Sequence, residues 1–364
     1  MSKTIKNKSE INQVAVILFN LGGPDSLKAV KPFLYNLFND KYIIRLPSIF
    51  RMVIAWLIAT LRRKTAEKIY SYIGGKSSIY EETLLQKQEL EHDLNSRGLE
   101  KKFKVFIAMR HWHPRASEVV SQLKDDPPNE IILLPLYPQF STTTTKSSIE
   151  EFQNILKNQD LSGIATKTIC CYPLAEGFIK THVALIRKYI DKLVDKNNYR
   201  ILFSAHGLPK KIIESGDPYQ LQVEYTVNSI IKYLAIENLD YKITYQSRVG
   251  PVQWLEPNTE DEIVIAGKEQ KNLVIVPIAF VSEHVETLVE LDIEYKQIAD
   301  KHAIEFIRVP TLSANKDFIE FLANLVIDFT NKTGNIIASA GFKQICNNKF
   351  SQCPCLQLKE NKGV

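Results

Sequence analysis

The sequence lacks the segments that would send it out of the cytoplasm or across a membrane. The first thirteen residues are polar and lysine-rich, without the apolar core of a secretory signal peptide. The longest hydrophobic stretch, residues 49–61, is interrupted by Arg51 and is shorter than the ~20 residues that span a bilayer. Low-complexity tracts are also absent. We therefore expect a folded cytoplasmic protein, with residues 1–13 as a disordered lead-in.

Cysteine and net charge are scarce as well. The 364 residues include five unevenly spread cysteines, an odd number that suits a reducing cytoplasm better than a disulfide framework. The formal net charge is +5, which argues against a dedicated nucleic-acid-binding protein. This mild charge is compatible with an acidic small molecule or an anionic membrane surface. The 45% hydrophobic and 24% charged content is that of a folded chain long enough for two cores.

What the chain does contain is an alternation of strand and helix patterns. Residues 14–20 (VAVILFN) form a continuous apolar run, which is typical of a strand covered on both faces. Similar runs recur along the chain with helical patterns between most of them, which indicates βαβ units and parallel sheets. Four strands precede about residue 172 and four follow it. We predict an α/β fold with domains at 14–172 and 173–330, then a tail at 331–364 that carries a cysteine cluster.

The stretch from 201 to 210 (ILFSAHGLPK) predicts a functional histidine. An apolar strand stops at small residues, His206 follows, and Gly207 and Pro209 force a turn. Open α/β sheets bind ligands at the carboxyl ends of their strands. An imidazole there can serve as base, proton shuttle or metal ligand, although a turn histidine without a function would fit the pattern too.

A second stretch, residues 279–295 (AFVSEHVETLVELDIEY), is unusually acidic. Glu286, Glu290 and Glu294 are four residues apart and would share one helical face, with His284 at the start of the helix. The stretch has no Lys or Arg before position 296, so its charge is uncompensated locally. Either this is a solvated acidic face, or the carboxylates and the imidazole bind a divalent cation such as Fe²⁺.

Other predicted strand ends carry flat or hydroxyl-bearing side chains. Arg110 is suited to bind a carboxylate, whereas Tyr137 and Trp254 are flat groups close to the sheet edge. The hydroxyl-rich turn at 141–146 either caps a helix or directs backbone N–H groups at an anion. Together these strand ends fit a large, flat, partly anionic ligand and a metal.

In combination, these stretches resemble the ferrochelatase family. The motifs that carry the resemblance occur in the family's order and cover about residues 13–330. They are NLGGP (20–24), LYPQFSTTT (136–144), FSAHGLP (203–209), QSRVGPVQWLEP (246–257) and FVSEHVETLVELDIEY (280–295). The resemblance implies two Rossmann-like domains, each with a four-stranded parallel sheet flanked by helices, and a porphyrin cleft between them. It also implies insertion of ferrous iron into protoporphyrin IX, the last step of haem synthesis.

The resemblance also implies roles for single residues. His206 and Glu286 match the family's catalytic pair, and His284 and Glu290 join them on the metal side. Relatives have a π-type distortion in this acidic helix. Arg110, Tyr137 and Trp254 match porphyrin-binding positions.

The chemistry agrees with these roles, because metallation removes two pyrrole protons and an imidazole such as His206 can accept one. Whether His206 is base, metal ligand or both stays open. Insertion into coproporphyrin or another tetrapyrrole, and a non-catalytic metal or haem carrier, also remain alternatives.

Two further segments have open interpretations. The apolar segment Leu46–Leu61 is an ordinary core helix, a lid over the porphyrin, or a lip that contacts the inner face of a membrane peripherally. In the tail, Cys346, Cys353 and Cys355 form C-x6-C-x-C. Some relatives bind a [2Fe–2S] cluster through three such cysteines and a fourth from mid-chain. Animal relatives place the fourth in the hydroxyl-rich turn, which has no cysteine here. Cys170 or Cys171 would take its place, since four thiolates are needed, and free thiols are the alternative.

Overall fold

The computed structural model describes residues 12–159, 161–248 and 250–359. The expected disorder of residues 1–13 falls mostly outside these ranges, and for residues 12 and 13 it is wrong, because both belong to the first strand. The strands are β1 (Asn12–Asn20), β2 (Lys101–Met109), β3 (Glu130–Pro135), β4 (Ala165–Cys171), β5 (Tyr199–His206), β6 (Tyr241–Gln246), β7 (Asn272–Pro277), β8 (Phe306–Arg308) and β9 (Ile336–Ser339).

Helices occupy most of the connections between these strands. The α-helices are α1 (Val30–Phe38), α2 (Ser48–Ser71), α3 (Ile79–Ser96), α4 (Ala116–Asp125), α5 (Ser147–Asn158), α6 (Glu176–Ile190), α7 (Lys210–Glu214), α8 (Tyr219–Leu234), α9 (Thr259–Lys268), α10 (Lys296–Asp300) and α11 (Lys316–Thr330). Two π-helical segments, Thr142–Lys146 and Glu286–Tyr295, lead directly into α5 and α10. Short 3₁₀ turns cover Leu27–Ala29, Ala340–Phe342 and Pro354–Lys359.

The strands form two separate parallel sheets. The N-terminal sheet has the order β2-β1-β3-β4-β9, and the C-terminal sheet has the order β6-β5-β7-β8. All pairs within both sheets are parallel. Two α/β halves with parallel sheets were expected, and this fold class is confirmed.

The N-terminal sheet has five strands instead of the expected four. The additional strand is β9, which comes from the predicted tail and pairs with β4 at the sheet edge. The chain therefore returns from the C-terminal sheet to the N-terminal one before it ends. The division into domains at residue 172 stays a prediction.

Most strands bury side chains on both of their faces, whereas the three residues of β8 are half-buried. In β1, Val14, Val16 and Leu18 enter a core that continues beneath the C-terminal sheet, where Phe203 belongs to it. The alternate β1 residues, such as Ile17, pack into a second core with α4 and α5. Successive strand residues point to opposite faces, so a strand covered on both sides reads as an unbroken apolar run. This is why the sequence pattern located the sheets.

Helix α2 differs from these elements because most of its apolar side chains are not buried. Its apolar side chains point outward: Ile49 is 74% exposed, Leu61 is 80% exposed, and Trp56 is 53% exposed. Of the apolar residues between 48 and 61, only Ala55 and Ala59 are buried. The interpretation of this segment as an ordinary core helix is therefore wrong. None of the helices in the described ranges is both long and apolar enough to cross a membrane.

Candidate active site

His206 ends β5 at the carboxyl edge of the C-terminal sheet. The next residue has to be glycine, because a Cβ atom on Gly207 would lie 2.6 Å from the carbonyl oxygen of Gln246. The Gly207 amide donates a hydrogen bond to that same carbonyl at 2.9 Å. Close approach to β6 therefore fixes the backbone directly after the histidine.

The imidazole of His206 contacts the carboxylate of Glu286, the first residue of the longer π-helical segment. His206 Nδ1 lies 2.8 Å from Glu286 Oε2, and the side chains are 37% and 22% exposed. His284 Nε2 lies 3.9 Å from the other carboxylate oxygen. The Nδ1 atom of His284 lies 3.1 Å from the carbonyl of Ser282, which suits an N–H donor at Nδ1 and leaves Nε2 directed at Glu286. The structure thus brings three of the predicted site residues together.

This contact controls the charges of the pair. Burial alone would raise the pKa of Glu286, but the charge and hydrogen bond of His206 outweigh it and lower that pKa to about 2. Burial alone would lower the pKa of His206. The charge of Glu286 and its hydrogen bond to the imidazole have a larger and opposite effect, so the pKa of His206 is raised. The two groups therefore stabilise each other as imidazolium and carboxylate.

Glu290 lies one turn further along the π-helical segment, in a different environment. Its Oε1 accepts hydrogen bonds from the Ser247 amide at 2.9 Å and the Tyr295 hydroxyl at 3.0 Å. Its Oε2 accepts from Gln246 Nε2 at 3.0 Å and the Ser247 hydroxyl at 2.5 Å. Burial, together with the charge of Glu286, raises the pKa of Glu290 to about 7 despite these donors. Two neighbouring carboxyls thus differ in protonation near neutral pH.

Two residues of the acidic stretch are paired with an arginine that the local sequence pattern could not reveal. Arg308, at the end of β8, donates to Asp292 at 2.7 Å and contacts Glu283 at 2.5 Å. The expectation of uncompensated charge is therefore wrong for Glu283 and Asp292, because their cation comes from a strand and not from the helix. Glu286 and Glu290 remain without a Lys or Arg partner among the ion pairs of the described residues.

The three residues predicted to bind porphyrin, Trp254, Arg110 and Tyr137, lie in different surroundings. The ring of Trp254 lies beside Gly207, with a Cβ atom on that glycine 3.4 Å from the indole, so Trp254 is adjacent to His206. Arg110 is bound within the N-terminal half, to Asp40 and Glu151, each at 2.9 Å. The hydroxyl of Tyr137 is buried and has no hydrogen-bond partner among the described residues. Arg110 and Tyr137 as porphyrin-binding residues stay predictions.

The two halves are hydrogen-bonded to each other directly behind the site. Asn20, at the end of β1, donates to the Ser282 hydroxyl at 3.2 Å. Gln86 of α3 donates to the carbonyls of Val281 and Ser313 at 2.9 and 3.0 Å. The loop that carries His284 is therefore held by the N-terminal half. Sequence reasoning did not single out Gln86 or Ser282, and long-range pairs of this kind have no local sequence signal.

The hydroxyl-rich turn has an internal partner. Thr142 donates through its amide and its hydroxyl to Asp217, each at 2.7 Å, and Ser141 donates to the same carboxylate oxygen at 3.0 Å. Asp217 is fully buried. The anion at this turn is thus a carboxylate of the chain itself.

All five cysteines converge next to β4. They are buried and free of disulfides, and they belong to one apolar cluster with Phe140. The sulfur atoms of Cys170 and Cys355 are 3.0 Å apart, and those of Cys170 and Cys171 are 3.8 Å apart. The three sulfurs of Cys170, Cys171 and Cys355 all lie within 4.8 Å of one another, close enough to hold one metal ion. Burial raises the pKa of the Cys170 thiol, so a bound metal would be needed to keep it as a thiolate.

Comparison with known proteins gives a consistent result. The family model described as Ferrochelatase matches residues 13–329. A ferrochelatase of Rickettsia bellii is 58% identical over 345 residues, which cover 94% of this chain and 95% of that protein. A ferrochelatase of Pelagibacter ubique is 49% identical over 349 residues, covering 95% and 99%.

Two solved structures share the fold. SirB from Bacillus subtilis with Fe³⁺ has a TM-score of 0.50 at 11% identity, over 88% of this chain and 96% of that one. The sirohydrochlorin chelatase SirB from Bacillus subtilis subspecies spizizenii, in complex with cobalt, has a TM-score of 0.51 at 8% identity, over 87% and 95%. At such identities the likeness concerns the fold alone, and it agrees with the expected α/β fold of two parallel sheets flanked by helices.

Proposed function

The chain belongs to the ferrochelatase family, and we propose that it inserts ferrous iron into protoporphyrin IX with His206 and Glu286 as its catalytic pair. The observation that carries the proposal is the 2.8 Å contact between these two side chains. It joins a strand end, where α/β folds bind ligands, to a row of carboxyl groups that suits a hard divalent cation. The porphyrin lies in a cleft between the two Rossmann-like halves, which are divided at about residue 172.

The reaction requires acceptors for two protons. Porphyrin and Fe²⁺ combine to give haem, and the two pyrrole protons leave the ring. The side chain of His206 is partly exposed, so its own proton can leave to solvent, and the neutral imidazole then accepts a pyrrole proton. Glu290, with a pKa of about 7, is suited to take up such a proton at neutral pH and release it again. Glu286, with a pKa of about 2, stays ionised and is the better ligand for the incoming metal.

Trp254 and the remote ring surface would provide the binding energy. A flat indole beside His206 gives the macrocycle a stacking surface. Contacts far from the reacting nitrogens can offset the strain of holding the ring in a puckered form, which exposes the nitrogen lone pairs. Arg110 and Tyr137 complete the porphyrin side in this proposal. His284 joins Glu286 on the metal side.

The five thiols fit an iron–sulfur cluster. A [2Fe–2S] cluster takes four thiolates, and we assign Cys346, Cys353 and Cys355 with either Cys170 or Cys171. The 3.0 Å distance between the sulfurs of Cys170 and Cys355, and the apolar cluster that contains all five cysteines, support this assignment. When bound, such a cluster supplies a one-electron redox centre and cross-links the tail to β4. The fifth thiol would remain unligated.

The exposed apolar side chains of α2 suit peripheral membrane contact. Ile49, Trp56 and Leu61 are exposed on a helix that is too polar to span a bilayer. Arg62 and Arg63 follow them and would favour anionic headgroups. We propose a cytoplasmic enzyme whose α2 rests on the inner face of the membrane, next to the porphyrin cleft.

Anaerobic metallation tests the proposed function. Purified protein is mixed with Fe²⁺ and protoporphyrin IX, and the visible spectrum is followed through many equivalents of substrate, with Zn²⁺ as a second metal. The proposal predicts repeated turnover with the spectrum of the metallated porphyrin. One equivalent of bound porphyrin or haem without turnover would instead indicate a carrier. A parallel run with coproporphyrin separates the two porphyrin classes.

A further inference from the structure

The main-chain carbonyl of His206 lies where β5 extends past its neighbour β7. Alternate residues of a strand direct their carbonyl groups toward the same neighbouring strand. The carbonyl of Ser204, two residues earlier, accepts a hydrogen bond from the Ile278 amide at 2.9 Å. The paired register of β5 and β7 ends at Ser204 and Pro277. The sheet therefore offers the His206 carbonyl no β7 donor within the described residues.

The hydroxyl of Tyr219 takes the place of the missing strand donor. It donates to the carbonyl oxygen of His206 at 3.1 Å. Tyr219 is the first residue of α8 and is buried. Burial raises the pKa of its hydroxyl, so the hydroxyl keeps its proton at neutral pH. Without it, this half-buried carbonyl would lose its hydrogen bond.

Tyr219 is itself fixed to the N-terminal half of the molecule. Its amide donates to Asp217 Oδ1 at 3.0 Å. The other carboxylate oxygen of Asp217 accepts the two hydrogen bonds from Thr142, each at 2.7 Å. Asp217 therefore joins the start of α8 to the turn before α5. The hydrogen bond from the Tyr219 hydroxyl therefore ties the peptide of His206 to a residue that is itself held in place.

We propose that Tyr219 is a positioning residue for His206, a role that rests on the proposed function of His206 in metal insertion. It acts on the main chain and touches neither porphyrin nor metal. The direction of the imidazole follows from the orientation of its own peptide. When the Tyr219 hydrogen bond is lost, the peptide between residues 206 and 207 keeps only the hydrogen bond from the Gly207 amide to the Gln246 carbonyl. The peptide can then tilt about that single bond, and the ring is less often held at 2.8 Å from Glu286.

Tyr219→Phe tests this inference with two readouts. The first is steady-state insertion of Fe²⁺ and of Zn²⁺: we expect kcat to fall about tenfold to a hundredfold, with the KM for porphyrin unchanged. The second does not depend on turnover. In protein with ¹⁵N-labelled histidine at one fixed pH, the Nδ1 proton shared between His206 and Glu286 gives a strongly deshielded signal. We expect this signal to weaken or move in the variant.

A rescue variant and a matched control separate positioning from general damage. Tyr219→4-aminophenylalanine places an N–H donor at the same position and should restore both kcat and the proton signal. Tyr172→Phe is the control, because this tyrosine is also buried and its hydroxyl has no partner among the described residues. The control should match the wild type. If Tyr219→Phe does not fold, the 4-aminophenylalanine variant decides: wild-type behaviour supports the inference, and loss of the proton signal overturns it.

Other outcomes distinguish this inference from the proposed function. An unchanged proton signal and an unchanged kcat in Tyr219→Phe would overturn the positioning role. An equal loss in Tyr172→Phe would overturn it too, because the effect would then be general. If the wild type shows no turnover but the proton signal still depends on the Tyr219 hydroxyl, the positioning role is supported and metal insertion is contradicted.

Discussion

Replacing Glu290 with glutamine should make the stability of the protein fall less as the pH rises, although the residue belongs to the proposed site. The pKa of Glu290 is raised from 4.5 to about 7, mainly because burial disfavours its charged form. The folded protein therefore binds a proton more tightly than the unfolded chain, and the stability contributed by the protonated form is lost as pH rises through about 7. The difference corresponds to about 3 kcal/mol at about 1.36 kcal/mol per pKa unit.

The pH dependence is a cleaner observable than stability at a single pH. Glu290→Gln also changes a site with four hydrogen-bond donors, at a cost of about 1–3 kcal/mol that does not depend on pH. The pH-dependent part of the difference in unfolding free energy reports on the ionisation of Glu290 alone, because glutamine does not ionise. Between about pH 5 and about pH 8, we expect the unfolding free energy of the variant, minus that of the wild type, to rise by about 2–3 kcal/mol.

Urea denaturation at a series of pH values measures this difference. Equal slopes with denaturant in the two proteins would show that the variant has not altered the extent of unfolding. Glu320→Gln is the control, because Glu320 is exposed on α11. The unfolding free energy of the control should differ from that of the wild type by the same amount at every pH. A constant difference for Glu290→Gln as well would refute the argument that burial controls the charge of this group.

Three further predictions concern other parts of the molecule. Cys353→Ser should remove the visible absorbance of an iron–sulfur cluster, and a wild type that is colourless when prepared without air would contradict the cluster. Trp56→Glu should weaken sedimentation with anionic vesicles, whereas Val194→Glu, at an apolar residue that is 92% exposed elsewhere, should not; equal binding by both variants would contradict the α2 contact. Arg308→Met should destabilise the fold by about 3–5 kcal/mol because it leaves two carboxylates unpaired, whereas Arg248→Met, in an exposed pair, should cost about 1 kcal/mol or less. Equal losses in urea denaturation would contradict this reasoning.

The strands could be predicted because they are covered on both faces. An unbroken apolar run such as 14–20 has few other interpretations. Eight strands of the described residues overlap a predicted strand, although β4 and β6 also contain polar residues. Strand β9 escaped prediction because it has four residues in an Asn- and Lys-rich segment and lies at the sheet edge. Helix α2 was misjudged for a different reason. An apolar helix usually packs against the protein core. Its composition alone does not show whether its apolar face contacts that core or a partner outside the chain.

The site was only partly accessible from sequence. His206 was identifiable because a strand, a histidine and a Gly/Pro turn follow one another, and Glu286 because of the acidic pattern. Groups that determine the charges come from other elements: Ser247 donates to Glu290, and Arg308 pairs with Glu283 and Asp292. Pairs of this kind depend on the packing of the sheet against the helix. Local spacing has no information about them.

The central claim is that His206, facing Glu286, is required for metal insertion and not for holding the porphyrin. The most direct measurement compares His206→Ala with the wild type for the rate of Fe²⁺ insertion and, separately, for the affinity for protoporphyrin IX by fluorescence quenching. The claim predicts a loss of insertion of at least about 100-fold, as expected for removal of a group that transfers protons, with porphyrin affinity unchanged. Insertion at the wild-type rate in this variant would contradict it.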